Sequence, residues 1–209
     1  MASFADAIEP QQDLGGALSF PMQYAVEESG QTFLYGMPVQ INGTDGGVQI
    51  WDGTTLTAGI AGIAAQNAQN LGSTGAGAPP FPYGPVLGPG SVIGNYAANS
   101  TQSLAVITPA MTPISDGFNY FFTAAPTTVF QARIGTSATV TPVVTNENQK
   151  GVAYGLTKDT GNNFWYVDTN KTGGNAAVRV VGISPLEAVG TSGGHVLFVF
   201  LNAVAQIFA

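Results

Sequence analysis

Apolar positions along this chain come in short runs of β-branched or aromatic residues, cut every few positions by glycine, asparagine or proline. Runs of four to eight such residues between turn formers are the mark of strands. They predict strands over Thr32–Tyr35, Met37–Ile41, Val48–Trp51, Gly59–Ala65, Ser103–Ile107 and Phe118–Thr123. Further strands follow over Thr128–Ile134, Thr139–Thr145, Gly151–Leu156, Phe164–Asp168, Ala177–Ser184 and His195–Ile207. Asn42-Gly43, Asp45-Gly46 and Asp52-Gly53 suit tight turns that need positive φ, and so predict two hairpins in the first group. No stretch of ten residues carries a convincing 3.6-residue apolar period, so helices are not expected. The fold class is all-β: an antiparallel β-barrel or sandwich of many short strands.

Three segments depart from this pattern. Residues 1–30 are acidic and carry scattered apolar points without a period, which reads as an extended N-terminal arm docking through Phe4, Ile8, Leu14 and Phe20. The β-rich domain then occupies 31–209. Within it, 72–90 holds 11 glycines and prolines in 19 residues, too many lost donors and too much backbone entropy for a helix or central strand. A long loop that carries Phe81, Tyr83 and Leu87 is read as an arm laying those groups on a neighbour, because a free linker would not expose them. Finally, His195–Ile207 is apolar on both faces. Val196, Phe198 and Phe200 alternate with Leu197, Val199 and Leu201, where a half-exposed strand would alternate apolar with polar. Both faces are expected to be covered, by the chain's own core or by a neighbouring subunit, which makes Phe198 and Phe200 candidate interface residues.

Composition narrows the function more than the fold. Charged residues make up 8% of the 209, against a norm of about 25%, and the chain has no cysteine. Disulfide frameworks and thiolate metal sites are thereby excluded. Mean hydropathy is +0.20, so disorder driven by charge is excluded too. Net charge is −7, the wrong sign for a phosphate-backbone binder, and no nucleic-acid partner is expected. All five bases lie after position 132, whereas eight of the 12 acids come before it. That asymmetry fits either a docking face or segments of one chain lying together. Val196–Ala209 is too short to span a bilayer and is broken by Asn202 and Gln206, and no basic leader opens the chain. The expectation is a soluble protein with no membrane partner.

Candidate chemistry is sparse. A single histidine, His195, opens the last strand after two glycines and reads as a strand-entry residue. Asp168–Gly173 matches the first half of a calcium loop, but the position of its closing glutamate is Arg179, so turn chemistry is the better account. Glu27 and Glu28 are adjacent and would point apart on an extended chain, unable to converge on one bond. No phosphate-binding glycine motif is present. The reading is a protein that is not an enzyme, with no cofactor and no metal.

The order of features resembles a known family. An acidic lead-in runs into QTFLYGMPVQI (Gln31–Ile41), then a Gly-rich hairpin, then IWDGTTLTAGIAGIAAQNAQN (Ile50–Asn70). YGLTKDTGNNFWYVD (Tyr154–Asp168), VRVVGI (Val178–Ile183) and GGHVLFVFLNAVAQI (Gly193–Ile207) follow. This resembles the capsid cement, or head decoration, proteins of tailed bacteriophages. The resemblance implies a β-rich, non-enzymatic virion protein on the outer surface of the capsid, made in the host cytoplasm. It also implies a homotrimer that clamps neighbouring major capsid proteins, with the arm and the long loop as contact segments. The rival expectation is a tail, fibre or surface-adhesion β-module that binds a glycan or host receptor. In that case Trp51, Trp165 and Tyr166 are stacking candidates.

Overall fold

A computed structural model describes residues 7–14, 20–28, 30–44, 46–57, 59–68, 118–136 and 140–206. Phe4, Phe81, Tyr83, Leu87, the 72–90 loop and the Ser103–Ile107 strand expectation lie outside the described residues. Among the described residues there are twelve strands: β1 (Glu9–Asp13), β2 (Met22–Val26), β3 (Pro38–Ile41), β4 (Val48–Ile50), β5 (Gly62–Ala64) and β6 (Phe118–Thr123) come first. They are followed by β7 (Thr128–Thr136), β8 (Thr141–Pro142), β9 (Ala153–Asp159), β10 (Phe164–Asp168), β11 (Val178–Ile183) and β12 (His195–Phe200). Helical structure among the described residues is limited to short 3-10 turns such as Glu147–Gln149. The protein is all-β, as the alternation predicts.

Two sheets result. One has seven strands in the order β1-β7-β10-β9-β11-β12, with β8 beside β7 and β12 returning to pair with β7. The other has five in the order β2-β6-β5-β3-β4. Pairing is antiparallel except for β7 with β10, which run parallel through Val167↔Ile134 and Asp168↔Gly135. The nine-residue β7 organises the larger sheet, because its first half is flanked by β1 and β12 and its second half by β10 and β8. Pairing therefore runs from β7 through β10, β9, β11 and β12 and back to β7. The β7–β10 and β9–β11 seams each rest on two register pairs.

Side-chain alternation explains which faces meet. On β12, Val196, Phe198 and Phe200 are 0–1% exposed, whereas His195, Leu197 and Val199 are half-buried. Phe130 of β7 stacks on Phe198 at 5.9 Å and meets Phe200 edge-on at 5.3 Å. The outer row is covered only in part. Leu197 lies across Gly182 of β11, 3.5 Å from where a Cβ would stand, so a missing side chain makes its room. Phe198 and Phe200 are therefore core residues of the chain itself, not surface contacts.

The sheets share one core. Ile8, Phe33, Val39, Ile60, Ile63 and Phe121 join Phe130, Ile134, Val167 and Phe198 in a single buried cluster. Trp51, just after β4, lies 5.1 Å from Trp165 of β10. The chain after β12 stitches the sheets together. Ile60 N–H donates to Val204 O at 2.9 Å, and the Gln206 side chain both accepts from Ile41 N and donates to Ile41 O.

Several expectations are corrected in detail. The described part of 1–30 is extended and docked, and it docks by backbone pairing as well as by apolar points, β1 with β7 and β2 with β6. Ile8 is fully buried in the core, so it holds the chain's own fold together. The second hairpin is absent: Asp52-Gly53 makes a turn, with Gly53 at φ +78, but β5 pairs with β3 and not with β4. The small residues of β5 do admit a neighbouring backbone, as Gly62 carries Phe122 O where a Cβ would sit. The last strand ends at Phe200, and turns follow.

Candidate functional site

Two apolar surfaces and one cleft stand out. The first surface is the outer face of β2 and β6. Antiparallel pairing sets Met22 opposite Phe122 and Tyr24 opposite Tyr120, while the alternate residues Asn119 and Phe121 turn inward and are buried. Directly opposed side chains on one face touch. Tyr24 and Tyr120 have ring centroids 5.8 Å apart, and Phe20 meets Phe122 edge-on at 6.1 Å. Met22 is 48% and Tyr24 61% exposed, and none of these five residues is charged. Met22 and Tyr24 are thus exposed beside half-buried Phe20, Tyr120 and Phe122, and exposed apolar groups clustered in this way mark interaction sites.

The second surface is the connection from β11 to β12. It presents Leu186 at 85% exposure and Val189 at 53%, beside Val144 of the paired segment at 50%. The backbone beneath is tied down. Ser184 Oγ bonds to Gln131 Oε1 at 3.1 Å, and Gly190 N–H reaches Thr145 O at 2.8 Å. Gly193 N–H donates to Val143 O at 2.9 Å, and Thr191 Oγ1 to Ala188 O at 2.6 Å. Glu187 completes the clamp with both carboxylate oxygens, one accepting from His195 N and one at 2.7 Å from His195 Nδ1. Burial opposes ionisation of Glu187, but the two bonds from His195 and the charge of nearby Arg133 outweigh it and hold its pKa below the usual carboxylate range. His195 is thus the strand-entry residue expected, and it also anchors the loop.

Buried carboxylates elsewhere serve turns. Asp159, fully buried, accepts from Gly161 N at 2.7 Å, from Asn162 N and Nδ2, and from Val140 N. Burial raises its pKa, yet these donors together bring it below the ordinary value. Asp168 accepts from Thr157 Oγ1 at 2.7 Å and from Asn170 N at 3.0 Å, so the calcium-like segment is a hydrogen-bonded turn. No group of three or more aspartates, glutamates or histidines placed to hold a metal ion occurs among the described residues.

The cleft, about 270 Å³, opens where the two sheets meet and is lined by Trp51, Gly53, Thr54, Leu56, Leu156, Lys171 and Asn175. The turn on one side is fixed by Asp52, whose oxygens accept from Thr54 N, Thr55 N and Thr55 Oγ1. Slight burial works against these bonds and is overcome, leaving Asp52 at about 2.

The residues expected from the sequence are thus dispersed. Ile8, Phe198 and Phe200 fill the core; Leu14 is 58% exposed just past β1, and Phe20 leads into the β2–β6 face. Trp51, Trp165 and Tyr166 are 0–4% exposed, so they offer no open stacking platform. Sequence reasoning passed over Met22, Tyr24, Tyr120, Phe122 and Leu186. The alternation in Asn119–Phe122 was a usable signal, because an inward Asn and Phe leave a Tyr and Phe outside. Comparison with known proteins adds no relative: no protein-family profile, no curated protein and no solved structure matches the chain.

Proposed function

We propose that this chain is a non-enzymatic structural subunit that works by adhering to other subunits, as a capsid cement protein does. In this reading it sits as a homotrimer on the outer surface of a phage head and clamps neighbouring major capsid proteins. The observation that carries the reading is the pair of apolar surfaces on firmly held backbone: Met22, Tyr24, Tyr120 and Phe122 on one sheet, and Leu186 and Val189 on the β11–β12 connection. Docking an exposed leucine or aromatic side chain contributes about 1.5–3 kcal/mol through area removed from water. A few such contacts, repeated by each copy in an oligomer, raise the effective concentration of the rest. A clamp of this kind stabilises an assembled lattice by mass action, because it binds the lattice and not its free parts.

The test compares the wild-type chain with the Tyr24→Asp/Leu186→Asp double variant, by light scattering and by binding to expanded heads. Both side chains lie more than half in solvent, so the variant should keep its fold. The expected result is a wild-type mass three times 21.4 kDa and saturable head binding, both lost in the variant. A variant that keeps the wild-type mass and head affinity would refute the assignment of these surfaces. A wild-type monomer that does not bind heads would refute the function.

A further inference from the structure

The cleft between the sheets has the make-up of a binding site that assembly does not require. Its inner lining is apolar, from Trp51, Leu56 and Leu156, and its rim carries one ammonium group and one amide, Lys171 and Asn175. Both rim residues sit on the short connection between β10 and β11. That connection is pressed against β9 by design of the sequence: a Cβ at Gly155 would stand 2.5 Å from Lys171 Cβ and 2.6 Å from Asn175 O. Gly155 N–H also donates to Lys171 O at 2.7 Å. The opposite wall is equally fixed, by the Asp52 turn and by Gly53 at φ +78 against Trp165. Pockets with apolar walls, a few convergent polar groups and little need to rearrange are the usual form of small-molecule sites.

The charge pattern selects the ligand. Lys171 donates to Leu156 O at 2.9 Å, which engages one of its three N–H groups. No carboxylate lines the cleft, and the acid next to it in sequence, Asp52, already accepts from Thr54 and Thr55. The Asn175 amide makes no side-chain hydrogen bond among the described residues. A cation and an amide above an apolar floor complement an anionic head on an apolar body. We infer that this cleft binds a small organic carboxylate, its apolar body beside the partly exposed Leu56, with buried Trp51 and Leu156 closing the floor behind it, and its carboxylate on Lys171 and Asn175.

The experiment is a chemical-shift titration of the full chain with sodium phenylacetate, against the neutral phenylacetamide of the same shape. Phenylacetate should shift the amides of Gly53, Thr54 and Asn175 saturably, and phenylacetamide should bind about tenfold more weakly or worse. Lys171→Met keeps the stem that packs on Gly155 and should bring phenylacetate down to the affinity of the amide. Asn175→Ala, at an exposed position, should weaken phenylacetate several-fold without altering the fold. The inference is overturned if phenylacetate leaves these amides unmoved, if the neutral analogue binds as well, or if both variants bind phenylacetate like the wild type.

Discussion

Truncating Phe198 to alanine tests both the packing and the register of β12. The ring is fully buried, stacked on Phe130 at 5.9 Å and edge-on to Phe200 at 5.6 Å. Removing it forfeits about 1.5–3 kcal/mol of apolar burial and two aromatic pairs of about 0.5–1.5 kcal/mol each. It also leaves a cavity that Phe130 and Phe200 cannot both collapse into. A loss of about 3–5 kcal/mol is expected, within the range for buried phenylalanines. With a urea slope of about 2 kcal/mol/M, the unfolding midpoint falls by about 1.5–2.5 M. Leu197→Ala is the control: one position along and half-buried over Gly182, it should cost about 1 kcal/mol. Equilibrium unfolding followed by tryptophan fluorescence, with the slope checked for constancy, reads both. Because strand side chains alternate, a one-residue slip in the pairing Phe198↔Phe130 would exchange the two faces. A Phe198→Ala loss equal to or below that of Leu197→Ala would therefore refute the register and the core assignment together.

Two further outcomes follow from the same contacts. Gly62→Ala drives a methyl group against Phe122 O and to 2.7 Å from Phe121 Cδ2, where backbone cannot yield, so melting should drop by about 5 °C or more in a thermal scan. Glu187→Gln should show a pH-dependent cost. The folded pKa of Glu187 is lowered, so its contribution is fully present above the ordinary value of 4.5 and is lost as pH falls through the folded value. The stability gap between wild type and variant, measured by denaturation across acid pH, should close in that direction; a gap that widens on acidification would contradict the clamp.

How much of this was legible in the sequence depended on where each strand's partners lie. β6 and β10 match their expected spans, because aromatic and β-branched runs bounded by Gly, Asn or Asp leave little choice. β1 was not legible: Glu9-Pro10-Gln11-Gln12-Asp13 has the composition of a loop, and it is extended because β7 offers it a row of backbone partners. Pro10 is tolerated there because the strand ends its sheet. The double-sided apolar pattern of β12 was visible, but its resolution needed Gly182 on another strand. The β2–β6 face was half visible in alternation and the cleft not at all, since Trp51, Leu156 and Lys171 meet only once both sheets are in place.

The pairing of β1 with β7 has a consequence for how the chain is made. Glu9 lies opposite Gln131, about 120 residues later in the order of synthesis, and β7 also needs β12, which emerges later still. At about 5–20 residues per second, β1 waits roughly 6–24 s on the ribosome for the strand it joins. During that interval Ile8 and the first sheet's apolar residues have no core to enter. Nascent chains are therefore expected to stay incomplete until the last strand arrives, and expression yield should respond to chaperone supply more than native stability alone would suggest.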